Sequence, residues 1–149
     1  VLYRGFGHVG GIVHTHSLYA TAFAQAVRPV PVLGTTHADF FRGEIPVTRA
    51  LTKAEIRGSY EAETGRVILG RFSRMSAEES PGVLVASHGP FAWGPSAAKA
   101  VENAVAVELC ARLAFLTLSL RPVSARIVTA LLERHFRRKH GPGATYGQA

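Results

Sequence analysis

Two short apolar runs that each end in histidine constrain this chain more than any other feature. They are Gly10-Gly11-Ile12-Val13-His14-Thr15-His16 and Val83-Leu84-Val85-Ala86-Ser87-His88-Gly89-Pro90. Short valine- and isoleucine-rich runs bounded by glycine and proline predict β-strands. A strand has a side-chain period of two, so His14 and His16 fall on one face. His88, ending a second strand, then closes a three-histidine metal site. Three protein nitrogens with one position open is the donor set of a catalytic zinc, whereas a structural zinc is fully ligated by protein. A His-X-His alone is more often a hydrogen-bonding or surface pair. The pairing of the two contexts is what points to a metalloenzyme.

The remaining punctuation predicts an alternation of helices and strands. Val1 to Phe6 reads as the end of an amphipathic helix met in mid-pattern, with no initiator Met, so an upstream segment is expected. Ser17 is a candidate cap for a helix reaching Ala26, stopped by Arg28-Pro29. Val30 to Leu33 and Ile45 to Val47 are brief extended pieces, with a loop or helix start at Thr35 to Asp39. Thr52-Lys53-Ala54-Glu55 has the form of a capping box. Helical spacing of Tyr60, Glu63, Val67, Ile68 and Phe72 predicts a helix over Ser59 to Arg74. Ser96 opens a long helix towards Leu118, Ser124 another that ends near Gly141, and a glycine-rich tail follows. Strands interleaved with long helices imply a layered α/β or α+β domain.

Composition narrows the function classes. The 149 residues, 47% hydrophobic and 18% charged, suit one globular domain. A single cysteine, Cys110, excludes an intrachain disulfide and a cysteine zinc cluster, and fits a reducing, cytoplasmic setting. The apolar stretch Ala97 to Leu120 is interrupted by Lys99, Glu102, Glu108 and Arg112, so no membrane span is expected. The net charge of +7 concentrates in Arg134-His135-Phe136-Arg137-Arg138-Lys139-His140. Cations are favoured near a helix C-terminus by the macrodipole. With no nucleic-acid motif beside the cluster, no nucleic-acid partner is expected.

Several words in order carry a family resemblance. They are His14-Thr15-His16-Ser17, Gly34-Thr35-Thr36-His37-Ala38-Asp39-Phe40, Tyr60-Glu61-Ala62-Glu63-Thr64-Gly65, Ser87-His88-Gly89-Pro90-Phe91-Ala92-Trp93-Gly94, Arg138-Lys139-His140-Gly141 and Tyr146-Gly147-Gln148. Together they resemble the class II aldolase (fuculose-phosphate aldolase) superfamily, and within it the branch of L-ribulose-5-phosphate 4-epimerases. The resemblance runs over essentially the whole chain. It implies a three-layer α/β fold, a central, largely antiparallel sheet flanked by helices, of which residues 1–149 form the C-terminal two-thirds.

By resemblance, His14, His16 and His88 match the family's zinc ligands, with another divalent transition metal as an alternative. Asp39 and Tyr146 match its catalytic acid/base residues. The implied reaction inverts C4 of a phosphorylated pentulose by breaking and remaking the C3–C4 bond. The implied assembly is a homotetramer with active sites between subunits. The family's fourth, acidic metal ligand and its phosphate loops would lie upstream of Val1. The rival expectations are a class II ketose-phosphate aldolase and an inactive scaffold relative. His135 is a secondary candidate near the site. His37, Phe91 and Trp93 are expected to be structural, Glu61 and Glu63 to stabilise their helix, and His8 and Cys110 to be surface and core residues.

Overall fold

The computed structural model describes residues 1–123, 126–142 and 144. Its elements are α1 (Leu2–Phe6), β1 (Gly11–His14), α2 (Leu18–Gln25), α3 (Thr35–Ala38), α4 (Lys53–Arg57), α5 (Tyr60–Arg71), β2 (Gly82–Leu84), β3 (Pro90–Gly94), α6 (Ala97–Leu120) and α7 (Thr129–His140). The three strands form an antiparallel sheet in the order β1-β3-β2, with His14 opposite Phe91 and Gly11 opposite Gly94. Beyond β2 the sheet continues only as isolated bridges, Leu84 to Val47 and Val30 to Ile45.

Strand alternation divides the core between two layers. Leu84 and Ala92 face α2 and α6, joining Phe23, Ala24, Phe41, Ile45 and Val107. Val83, Val85 and Trp93 point the other way, onto Leu2 of α1, Ile68 of α5 and Phe72. Helices therefore cover both faces, in agreement with the three-layer expectation. Each fully buried large side chain, Trp93, Phe41 and Leu84 among them, contributes about 1.5–3 kcal/mol.

Helix α6 is the main cover of the sheet. Ser96 accepts a hydrogen bond from Lys99 N at 3.2 Å, as its capping position predicted. A Cβ on Gly11 would lie 2.6 Å from the Ala97 Cα, so only glycine lets the helix start this close to β1. Buried Asn103 donates to the Trp93 carbonyl at 2.7 Å, tying α6 to β3. By length and composition α6 meets the criteria for a membrane-crossing helix. Its buried face, from Ala100 through Val107 to Ala114, is a sheet-covering surface made of small residues.

Some local expectations are met and others change. The capping box at Thr52 and Glu55 forms in full. Ser17 makes no side-chain cap for α2. Instead the Glu108 carboxylate reaches across from α6 and accepts from Tyr19 N at 3.0 Å and Ala20 N at 2.9 Å. A carboxylate offers two acceptors and a negative charge to the positive end of the helix, which a serine hydroxyl does not. The last helix begins at Thr129, and Ser124 lies outside the described residues. Val27 ends α2 at φ 49, an uncommon conformation for a β-branched residue, where the chain turns towards Pro29.

Candidate metal centre

The two histidine-bearing runs become neighbours because β1 pairs with β3, and β3 follows the turn that carries His88. That turn is tight. Val85 N donates to the Gly89 carbonyl at 2.9 Å, His88 N to the Val85 carbonyl at 3.0 Å, and Ser87 adopts φ 59. Ser87 N is also fastened to the Ala24 carbonyl of α2 at 2.9 Å. The backbone thus delivers His88 against the end of β1. A Cβ on Gly89 would lie 2.8 Å from the Thr15 carbonyl oxygen and 3.0 Å from His16 Cδ2, so glycine is what lets the turn and the histidines close up.

One nitrogen from each of His14, His16 and His88 lies within 4.8 Å of the other two. His16 lies just beyond the end of β1, yet its Nε2 is 3.1 Å from that of His14. Two nitrogens bound to a tetrahedral zinc at ~2.0 Å sit roughly 3.3 Å apart. His14 donates from Nδ1 to the Pro90 carbonyl at 2.9 Å, which leaves its Nε2 lone pair free for a metal. Its ring stacks on Phe91 with centroids 4.1 Å apart. Burial, then the charges that His14 and His16 would carry, push the His88 pKa down and favour the neutral, metal-ligating imidazole. The donor set fits a borderline-soft divalent ion such as zinc.

Beside the histidines lies a cleft of about 580 Å³ between α1, α5 and the β1 end of the sheet, lined by Tyr3, His14, Tyr60, Glu61, His88 and Phe91 among others. Tyr60 Oη is 3.3 Å from His88 Nδ1. Sequence reasoning did not single out Tyr60, although it begins one of the family words. Glu61, expected to serve only its helix, also borders this cleft. Phe91 and Trp93 are packing residues as expected, Trp93 donating to the Ala77 carbonyl at 2.8 Å.

Asp39 belongs to a different neighbourhood. Its carboxylate accepts from His135 Nδ1 at 3.0 Å and from Arg138 at 3.1 and 3.2 Å, with Lys139 at 3.9 Å. The Asp39 side chain is only 15% exposed, so the Arg138 and Lys139 charges act on a carboxylate largely shielded from water. His140 adds a contact to the Asp39 carbonyl at 2.9 Å. The segment between Val30 and Ile45 that carries Asp39 hangs from the β2 side of the sheet, the edge opposite β1. Asp39 does not line the histidine cleft. Tyr146 lies outside the described residues. His37 is structural, its Nε2 held 2.9 Å from the Gly43 carbonyl, and burial pushes its pKa down to about 4.

This combination of a covered antiparallel sheet and a histidine cluster at a strand end has a counterpart among known families. Residues 1–115 match the class II aldolase and adducin N-terminal domain, and the chain belongs to that family. It is 50% identical over 147 residues to the L-ribulose-5-phosphate 4-epimerase UlaF of Salmonella paratyphi B, a match that covers 99% of this chain and 64% of that relative. The chain thus spans a little under two-thirds of the relative's length. Among solved structures, the L-fuculose 1-phosphate aldolase from Glaciozyma antarctica superposes with a TM-score of 0.68 at 16% identity, over 92% of this chain and 47% of that one. The L-fuculose-1-phosphate aldolase from Thermus thermophilus gives 0.58 at 17% identity, over 83% and 62%. At these identities the two structures speak for the fold.

Proposed function

We propose that this chain is the metal- and acid/base-bearing part of a zinc-dependent, cytoplasmic epimerase that interconverts L-ribulose 5-phosphate and D-xylulose 5-phosphate. The observation that carries the reading is the three-histidine cluster, in a chain half identical to an enzyme named for that reaction. The C4 proton of the substrate is not adjacent to the carbonyl, so simple deprotonation does not invert that carbon. Removing the C4 hydroxyl proton instead breaks the C3–C4 bond, the aldehyde half turns its other face, and the bond reforms.

His14, His16 and His88 hold the metal through neutral nitrogens, so the ion's charge is not cancelled by these ligands. A bound zinc supplies Lewis-acid stabilisation of the negative charge that develops on the ketose oxygens, worth several kcal/mol. Inversion also needs a proton acceptor on one side of the aldehyde and a donor on the other. Asp39 and Tyr146 are assigned those roles, with His135 beside Asp39 as its hydrogen-bond partner.

The separation of Asp39 from the histidines supports a shared site. Within one chain the two groups hang from opposite sheet edges and share no cleft. A second copy that brings its Asp39 and α7 against the histidine cleft completes the constellation. A homo-oligomer, tetrameric by resemblance, is therefore part of the proposal.

The test is turnover of L-ribulose 5-phosphate by the zinc-loaded full chain, with direct detection of D-xylulose 5-phosphate. Asp39→Asn is expected to lower kcat by about 10²–10⁴-fold, the usual weight of a positioned acid/base group. Zinc bound and no epimer formed, with glycolaldehyde phosphate released instead, would replace this reading with an aldolase. Full turnover in Asp39→Asn would remove the residue from the mechanism.

A further inference from the structure

Resting on the metal reading above, we infer that Tyr60 is a positioning residue for the metal ligand His88, holding its ring through Nδ1 so that Nε2 faces the ion. The Tyr60 hydroxyl lies 3.3 Å from His88 Nδ1 and is the one hydrogen-bond partner of that ring among the described residues. The ring planes are tilted by 36° with centroids 6.1 Å apart, so the contact is made at the hydroxyl, not by stacking.

The chemistry of a ligated imidazole explains why such a partner is needed. A neutral histidine that binds through Nε2 carries its proton on Nδ1, and a second group that accepts this proton fixes both tautomer and ring orientation. His14 has an acceptor of this kind in the Pro90 carbonyl, at 2.9 Å. Its ring is further clamped by stacking on Phe91. His88 meets Phe91 only edge-on, with centroids 6.1 Å apart, and sits on a turn whose preceding residue is at φ 59. Among the described residues no other group is hydrogen-bonded to the His88 ring.

Tyr60 is 37% exposed, and its anchorage comes from the backbone of α5. It is the first residue of α5, its carbonyl accepts from Thr64 Oγ1 at 2.9 Å, and Thr64, Gly65, Val67 and Ile68 are buried. A ligand support built on a docked helix holds its geometry better than one on a free loop. Tyr60 thereby couples the α5 layer to the turn between β2 and β3.

The test compares the parent full chain with Tyr60→Phe and Tyr3→Phe. Tyr3 lines the same cleft, and among the described residues it makes no hydrogen bond or ring contact with the three histidines. Zinc affinity is measured by competition with a chromophoric chelator, and the cobalt-substituted proteins are compared by visible absorption. Tyr60→Phe is expected to bind zinc about 10–100-fold more weakly and to shift the cobalt bands, with Tyr3→Phe matching the parent. Unfolding of the metal-free proteins is followed in parallel, and a merely structural tyrosine would move that midpoint without moving the cobalt bands. Zinc affinity in Tyr60→Phe within about twofold of the parent, with an unchanged cobalt spectrum, would overturn the inference. A parent chain that binds no zinc would overturn the metal reading, and this inference with it.

Discussion

The histidine turn and the Asp39 neighbourhood are both assembled from residues far apart in sequence, but by different means. The first is a product of backbone geometry. A strand end, a tight turn with Ser87 at positive φ and a glycine packed against the Thr15 carbonyl bring three imidazoles together with little help from charge. The second is a product of side-chain electrostatics. One carboxylate on a short segment gathers His135, Arg138 and Lys139 from a helix almost a hundred residues later. Backbone devices are enforced locally and tolerate few substitutions. Charge clusters depend on every member being present, because cations that lose a shared anion repel one another.

Acid should separate the two regions first. His37, on α3 next to Asp39, has its pKa lowered to about 4 by burial, with the Gly43 hydrogen bond opposing. The unfolded chain therefore binds a proton between about pH 6.5 and 4 that the folded chain does not, so stability falls as pH drops through that window. The loss approaches ~3 kcal/mol at its lower end. Urea unfolding measured across this range should show the slope in the parent and lose that part of it in His37→Phe.

Asp39→Ala should come next. It removes the carboxylate that accepts from His135 and Arg138 and lies 3.9 Å from Lys139, at an expected loss of about 2–3 kcal/mol after allowing for the partial exposure of the cations. Hydrogen exchange should accelerate in α7, while zinc affinity at the histidines stays at the parent value. Loss of zinc binding in this variant would show that the two regions do not act independently.

Gly89→Ala is the reciprocal test. Its Cβ would press on the Thr15 carbonyl and the His16 ring, an overpacking worth about 2 kcal/mol. Zinc affinity should drop at least about tenfold, as for a displaced ligand support. Exchange in α7 should not change.

The same contrast governs what was legible in the sequence. The histidine turn was readable because short apolar runs, flanking glycines and His-X-His are local signals, and strand pairing then has few choices. The caps at Thr52 and Ser96 were readable for the same reason. The capping of α2 was not, since Ser17 has the right local chemistry and Glu108 wins it from 88 residues away. The role of Asp39 as the anion of the α7 cluster was equally hidden, because no spacing rule links a loop carboxylate to a distant helix. Tyr60 stood in a family word, but periodicity assigned it to a helix face and nothing more. Contacts of this kind depend on how helices dock, which is a property of the packed layers.

The clasp between Glu108 and α2 also orders events in time. All three histidines leave the ribosome before Glu108 does, since synthesis runs from the N-terminus. A nascent chain that has emerged only through β3 holds every imidazole of the cluster but lacks α6, the cover for one sheet face and the carboxylate that seats the helix following His16. Much of the support of the histidine cluster therefore comes from long sequence separation, the kind of contact that slows folding in general. A chain stalled before α6 would thus display the three histidines without the layer that holds them in place.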